Sequence, residues 1–387
     1  MTDSVRLRRR LVRDLRRDGS LSDDRVAAAF ATVPRHEFVP DQPKKDVYTD
    51  RAFITKQVDG VPTSSSSQPS IMALMLEQLD VAPGMRVLEI GAGTGYNAAL
   101  LSALVGDDGH VTTVDIDVDT AEAAREHLRS AGCKRVEVLA VDGGFGHRDG
   151  APYDRIIATA ACWQIPQPWI EQLAEGGLIV LPFRLNGAHV SLALRKHGDE
   201  LLSVGAEMCG FMPLRGAFGP QHAHILALPD MRVAADTELG ARMWRSVARL
   251  LQDGRQVRVA FPRGRDRRNS PLYYLILQGK PVLLILRRID SWGDVPFALA
   301  VSAESAISLP WHRPKGGWLT LFGSDEGLEF LRDALARWQV EGRPDLRDLQ
   351  VRVRPSRARA SSGLPRRVDG RYRFRRGGHL YELWFER

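Results

Sequence analysis

The chain has 387 residues, with 54 Lys+Arg against 47 Asp+Glu and a formal net charge of +7. The whole excess sits at one end: residues 341–387 hold 13 Arg, no Lys and 6 acidic residues, while residues 1–340 balance at 41 of each sign. This excludes a chain coated with positive charge for nucleic acid; a neutral body carries a basic end.

A hydrophobic fraction of 44% and a charged fraction of 26% are ordinary for a soluble globular protein, and the length suggests about two domains. Cys133, Cys162 and Cys209 are odd in number and far apart, with no CxxC pair and no Cys/His cluster. Reduced, buried thiols and no metal site are expected.

The basic N-terminus has no uninterrupted apolar stretch. Leu7, Leu11 and Leu15 recur at helical spacing, so it reads as an amphipathic helix and not as a signal peptide or membrane span. A cytoplasmic protein with no membrane association is expected. Residues 1–60 read as short helices and loops, with Asp23 and Asp24 opening a helix towards Thr32. From Met72 the pattern is regular: helix 72–79, strand 86–90, a glycine loop, helix 97–104, strand 110–115, helix 120–130, strand 136–141, strand 155–159, helix 169–174 and strand 178–182. Alternation at this spacing predicts a mostly parallel α/β sheet with helices on both faces.

The grammar changes after about residue 230. A helix over 237–252 is followed by strands over 257–261, 272–278, 282–289, 297–302 and 318–322, with 272–289 read as a hairpin. A helix from Ser324 and strands over 349–353, 372–374 and 380–385 complete the chain. Residues 230–387 are therefore expected to form a separate α+β domain beside a first domain over 1–225, whose residues 1–70 are its helical, substrate-facing part. The Arg/Ser/Pro-rich loop 355–370 reads as mobile.

The loop Glu89-Ile90-Gly91-Ala92-Gly93-Thr94-Gly95-Tyr96 follows a buried strand and opens a helix, the context in which a GxGxG run binds a nucleotide-like ligand. Asp115 ends the next strand, where a carboxylate suits a ribose diol. Asp142-Gly143 follows the third strand. A dinucleotide site would place a third glycine at position 96, which is Tyr. The segment resembles motif I of class I S-adenosylmethionine (SAM) methyltransferases, with Asp115 and Asp142-Gly143 at their second and third strand ends. The resemblance implies that Glu89, Gly91, Gly93, Gly95, Asp115, Asp142 and Gly143 bind SAM and release S-adenosylhomocysteine.

Further segments narrow the resemblance. Residues 33–40 read VPRHEFVP, 48–52 read YTDRA, 65–69 read SSSQP, 151–161 hold APYDRI and TAA, and 211–216 read FMPLRG. Over about residues 5–217 the chain resembles protein-L-isoaspartate O-methyltransferases. It departs from them at TSSSSQP, where the family has TISQP, and in the long extension past FMPLRG. Both departures resemble the branch encoded with graspetide and lanthipeptide maturation systems. That resemblance implies methylation of an ordinary aspartate in a crosslinked, often acidic, ribosomally made precursor peptide. The ester then closes to aspartimide and opens onward to isoaspartate. The alternative is a protein-repair isoaspartyl methyltransferase with an accessory domain. A nucleic-acid-modifying enzyme is disfavoured, since no D/N-P-P-Y/F motif is present.

A carboxylate is ionised at neutral pH, so methyl transfer to it needs no strong base. It needs alignment and partial desolvation, which small hydroxyl donors supply. Ser65, Ser66 and Ser67 fit that role, although four consecutive serines also suit a linker. The resemblance adds Gln68, Thr159 and Ala160 as substrate-binding residues. His36 reads as an exposed loop residue. Trp163 fits cleft lining and packing equally. His222 and His224 lack further ligands, and Arg263–Arg268 reads as a solvated loop or a recognition element.

Overall fold

The computed structural model describes residues 3–219, 224–228, 231–235, 241–261, 271–287, 297–309, 318–357 and 364–386. The predicted loop 263–268 and His222 lie outside them, as does the side chain of His224. The chain divides into two compact units, Met1–Phe183 with Val190–Gly219, and Arg184–His189 with Pro220–Arg387.

The first unit runs α1 (Asp3–Asp18), α2 (Asp24–Thr32), α3 (Lys44–Val47), β1 (Phe53–Val58), β2 (Val61–Ser66), α4 (Pro69–Leu79), β3 (Arg86–Ile90), α5 (Tyr96–Val105), β4 (His110–Asp115), α6 (Val118–Ser130), β5 (Val136–Ala140), β6 (Tyr153–Ala158), α7 (Gln167–Gln172), β7 (Leu173–Leu185), β8 (Ala188–His197) and β9 (Glu200–Met208). The strand order is β9-β8-β7-β6-β3-β4-β5, with β5, β4, β3, β6 and β7 paired in parallel and β8 antiparallel to β9. The predicted α/β alternation holds. β8 and β9, whose apolar residues alternate around the Gly198 turn, add an antiparallel pair absent from the predicted elements.

Sequence explains these elements locally. Leu11 and Leu15 of α1 are buried as the helical spacing requires. Asp23 caps α2, its carboxylate accepting from the amides of Arg25 and Val26. Helix α5 is apolar almost all round and is correspondingly buried, with Ala98, Ala99, Leu100 and Leu101 at most 1% exposed.

One expectation for this unit is corrected. Residues 53–66 form the antiparallel hairpin β1–β2 rather than loop. Its turn is Asp59-Gly60, both at positive φ (52° and 74°), the conformation that an Asp-Gly pair favours in a two-residue hairpin turn.

The second unit contains β10 (His224–Leu228), β11 (Met231–Ala235), α8 (Ala241–Leu250), β12 (Gly254–Arg258), α9 (Leu272–Ile276), β13 (Val282–Arg287), β14 (Phe297–Ser302), β15 (Ser305–Leu309), β16 (Trp318–Gly323), α10 (Glu326–Val340), β17 (Leu349–Pro355), β18 (Arg366–Val368), β19 (Arg371–Arg376) and β20 (His379–Phe385). Seven antiparallel strands run β10-β11-β13-β14-β15-β16-β12, and the last four run β18-β19-β20-β17. Val233, Val247, Leu251, Leu283 and Phe322 are among the core residues of the former.

The predicted strand 272–278 is instead α9. All five of its residues, LYYLI, are buried, and a short run that is apolar on every side carries no period by which strand and helix can be told apart. A buried Asn186, at φ 46°, donates to the carbonyls of Ile276 and Lys280 and so fixes the end of α9.

Candidate active site

The strand order reverses beside β3. The chain steps from β3 to β4 and β5 on one side, then returns to place β6 on the other. In such sheets the crevice outside the strands' carboxyl ends, at the reversal, receives ligands. Here the glycine loop leaves β3 and Thr159 leaves β6. The Thr159 hydroxyl lies 2.7 Å from the Gly91 carbonyl and 3.1 Å from that of Ile90. Gly91 has φ 100°, and a Cβ there would meet Thr159 Oγ1 at 2.5 Å. Neither the backbone angle nor the space admits a side chain.

The rest of the cradle follows from β4 and β5. Asp115 is 9% exposed; its Oδ2 accepts from the Gly93 amide (3.1 Å) and its Oδ1 from the Asp117 amide (3.1 Å). Burial pushes its carboxyl above the usual range. Asp142 caps the turn after β5, accepting from the amides of Gly144 (2.9 Å) and Ala217 (2.8 Å). Gly143 is packed tightly: a Cβ there would lie 2.6 Å from Ile90 Cγ2 and 3.0 Å from Val114 Cγ2.

Glu89 lies beneath the loop rather than in it. It is 0% exposed, and its two oxygens accept from Asn97 Nδ2 (2.7 Å) and Thr113 Oγ1 (2.6 Å). Burial pushes its carboxyl up to about 7, with the nearby Asp115 charge adding to the effect and the two hydrogen bonds opposing it.

The serines arrive on β2, which alternates. Ser64 and Ser66 point inward, 7% and 2% exposed, while Ser65 and Ser67 are half-buried. A Cβ on Gly93 would lie 3.3 Å from the Ser65 carbonyl oxygen, which brings the hairpin against the glycine loop. Ser66 instead accepts from Arg35 Nη2 at 3.4 Å. The same nitrogen donates to the carbonyls of Ser67 (2.9 Å) and Arg51 (3.0 Å). Arg35 is 0% exposed and its guanidinium sits 5.6 Å and 5.5 Å from the rings of Phe53 and Tyr96. Burial holds it below the usual arginine range. Gln68 is exposed and donates to Asp50 Oδ2 (2.7 Å), while Asp50 Oδ1 takes the Ser70 amide (2.8 Å) at the start of α4.

Arg35 and Asp50 were missing from the predicted site, although both stand in the quoted VPRHEFVP and YTDRA segments. So was Asp117, which takes a bidentate pair from Arg215 (3.1 and 2.7 Å) and also faces Lys56 on β1 at 3.5 Å. Ala160 is half-buried beside the bridge that joins Ala161 to Pro213. Trp163 is half-buried.

His36 departs from its expected exposure. Its side chain is 11% exposed, Nδ1 lies 2.6 Å from the Tyr48 hydroxyl, and burial lowers its pKa. Cys162 is buried and its thiol is pushed up by burial. Among the described residues no group of three or more His, Cys, Asp or Glu is placed to hold a metal, and no helix is long and apolar enough to cross a membrane.

The sheet, with a glycine loop at the β3/β6 reversal and acidic residues closing β4 and β5, is the fold of a class I SAM-dependent methyltransferase. The family model described as "Protein-L-isoaspartate(D-aspartate) O-methyltransferase (PCMT)" matches residues 6–218, more than half of the chain, and the chain belongs to that family of SAM-dependent carboxyl methyltransferases. The protein-L-isoaspartate O-methyltransferase of Methanothermobacter thermautotrophicus is 38% identical over 214 residues, 55% of this chain and 96% of the relative. That of Methanoregula boonei is 41% identical over 213 residues, 55% of this chain and 94% of its own. A solved protein-L-isoaspartate O-methyltransferase superposes with TM-score 0.53 at 25% identity, covering 89% of this chain and 96% of its own. That coverage is more than the first unit can supply.

Proposed function

We propose that this chain methylates an aspartate side-chain carboxylate of a ribosomally synthesised, crosslinked precursor peptide, and that the ester then closes to aspartimide. The observation that carries this reading is the serine strand. Ser66 stands where the family's TISQP pattern has isoleucine, and places a buried hydroxyl that accepts from Arg35 at the end of β2. The relatives' name, protein-L-isoaspartate O-methyltransferase, and the solved relative of that name that covers 89% of this chain support the second reading, methylation of isoaspartyl residues as in protein repair.

The residues present fit SAM. Gly91, Gly93 and Gly95, all at positive φ, clear the space that side chains would fill. Asp115 keeps acceptor capacity beyond the two amides it holds, and Asp142-Gly143 close the third strand end. Glu89 acts one layer below, through Asn97. SAM supplies a methyl group on a sulfonium and leaves as S-adenosylhomocysteine.

The protein's own contribution is alignment. Ser65 and Ser67 offer hydroxyls to one carboxylate oxygen so that the other faces the methyl group. Arg35 and Ser66 are positioning residues, fixing the β2 backbone from behind. Asp50 holds Gln68 and the first turn of α4. No base is required, because an ionised carboxylate is the nucleophile and no proton changes hands. After esterification the next residue's amide nitrogen attacks the carbonyl, and methanol leaves.

The test is incubation with SAM and two substrates in parallel, a linear isoaspartyl peptide and a crosslinked aspartate-containing precursor. Mass gain of one methyl followed by net loss of water on the precursor is expected. Methylation of the isoaspartyl peptide alone would select the repair reading.

A further inference from the structure

The charge at the end of the chain becomes a surface. Residues 352–376 contain ten Arg and a single acidic residue, Asp369. In β17, β19 and β20 alternate residues are buried: Val351 and Val353, Tyr372 and Phe374, Tyr381 and Leu383. The other face gathers Arg354, Arg366, Arg371, Arg373 and Arg375, since Arg366 pairs in register with Arg373, Arg373 with Glu382, and both Arg354 and Arg375 with Leu380. Glu382 is the one carboxylate in that register. It is 3% exposed and already shared by Arg373 (2.8 Å) and Arg354 (3.3 Å). Arg366 is exposed and Arg371 and Arg375 are half-exposed. Beside the edge strand β18 a recess of about 430 Å³ opens, lined by Gln278, Gly279, Leu364, Arg366 and Arg367.

We infer that this face docks an extended acidic polypeptide segment, a part of the substrate remote from the methylated carboxylate. The inference rests on the proposal that the chain methylates a polypeptide. Arg371, Arg373 and Arg375 stand at every second residue of one strand, about 7 Å apart. Side chains on one face of an extended peptide share that spacing, so carboxylates at alternate positions meet successive guanidinium forks. Single-stranded nucleic acid needs open aromatic faces on which to stack its bases. Here Tyr372, Phe374 and Tyr381 are buried on the opposite side, Phe374 stacked on Tyr381 at 4.9 Å, and the Trp384 ring is covered by the Arg371 guanidinium at 4.6 Å.

The test uses the full chain and a fluorescent oligoglutamate, with an oligolysine and a single-stranded RNA as comparators. Oligoglutamate binding is expected to weaken with salt and to fall about tenfold in R366E/R371E/R375E, and less in the charge-neutral R366Q/R371Q/R375Q. S-adenosylhomocysteine affinity, measured on the same samples, should not change. Unaltered oligoglutamate binding in both variants, or tighter binding of RNA than of oligoglutamate, would overturn the inference. Because binding is read without turnover, an unmethylated precursor would count against the proposed reaction and leave the docking face standing.

Discussion

Glu89 links the stability of the first unit to pH in a direction opposite to most carboxylates. Its pKa rises from the ordinary 4.5 to about 7 on folding because it is buried. Between those values the folded chain holds a proton that the unfolded chain has released, so stability falls as pH rises through the window. From about pH 5 to about pH 8 the loss from this one group is roughly 2–3 kcal/mol. The substitution Glu89→Gln keeps the shape and both partners: the amide oxygen accepts from Asn97, and the amide nitrogen donates to Thr113. Urea denaturation across that pH range should show the wild type losing some 2–3 kcal/mol more than the variant. Parallel profiles would refute the burial account. Binding of S-adenosylhomocysteine by the same variant separates a brace from a direct contact. A brace leaves affinity within about threefold, and direct contact through the charge costs tenfold or more.

Four further outcomes follow from the geometry. Asp115→Ala should weaken S-adenosylhomocysteine by about 10–100-fold by calorimetry, since it removes both the acceptor and the anchor of the Gly93 amide. Gly91→Ala, with its Cβ against Thr159 Oγ1 and φ 100°, should cost about 2 kcal/mol or more in denaturant melts and abolish cofactor binding. Ser65→Ala should lower kcat with cofactor affinity unchanged, whereas Ser66→Ala should appear mainly as about 1 kcal/mol of stability; equal kinetic effects would remove the distinction between acceptor contact and support. Asn186→Ala should destabilise the second unit by about 2 kcal/mol, because it leaves the Ile276 and Lys280 carbonyls without their buried donor.

The central sheet was legible because its strands are buried on both faces and read as apolar runs between glycines. Gly91 and Asp115 follow such buried runs, whereas Asp142 follows the edge strand β5, of which only Val138 is buried. The hairpin 53–66 was obscured by its Thr and Ser content, although Asp59-Gly60 announced the turn. The part played by Arg35 could not be read from the sequence. Its shorter hydrogen bonds go to backbone carbonyls 16 and 32 residues away, and a carbonyl leaves no trace in residue type. Asp117 was hidden similarly, since Arg215 lies 98 residues further along the chain.

The serine strand and the basic end bear on substrate choice in different ways. The curated relatives named above are 38–41% identical to this chain over its first unit, so the chemistry of carboxyl methylation belongs to that unit and does not by itself separate repair from peptide maturation. Selectivity must then lie in groups that discriminate between acceptors. On the proposed mechanism Ser65 and Ser67 orient the reacting carboxylate, so they should influence kcat. The arginine face, if it docks a remote acidic segment as inferred, should influence KM alone. A short isoaspartyl peptide cannot reach beyond the first set, so its turnover should be indifferent to salt and to charge reversal at Arg366, Arg371 and Arg375. A precursor that engages both should lose kcat/KM through KM as salt rises. If both substrates respond alike to salt, the two surfaces do not act in this division, and the net charge of +7 has no part in choosing the substrate.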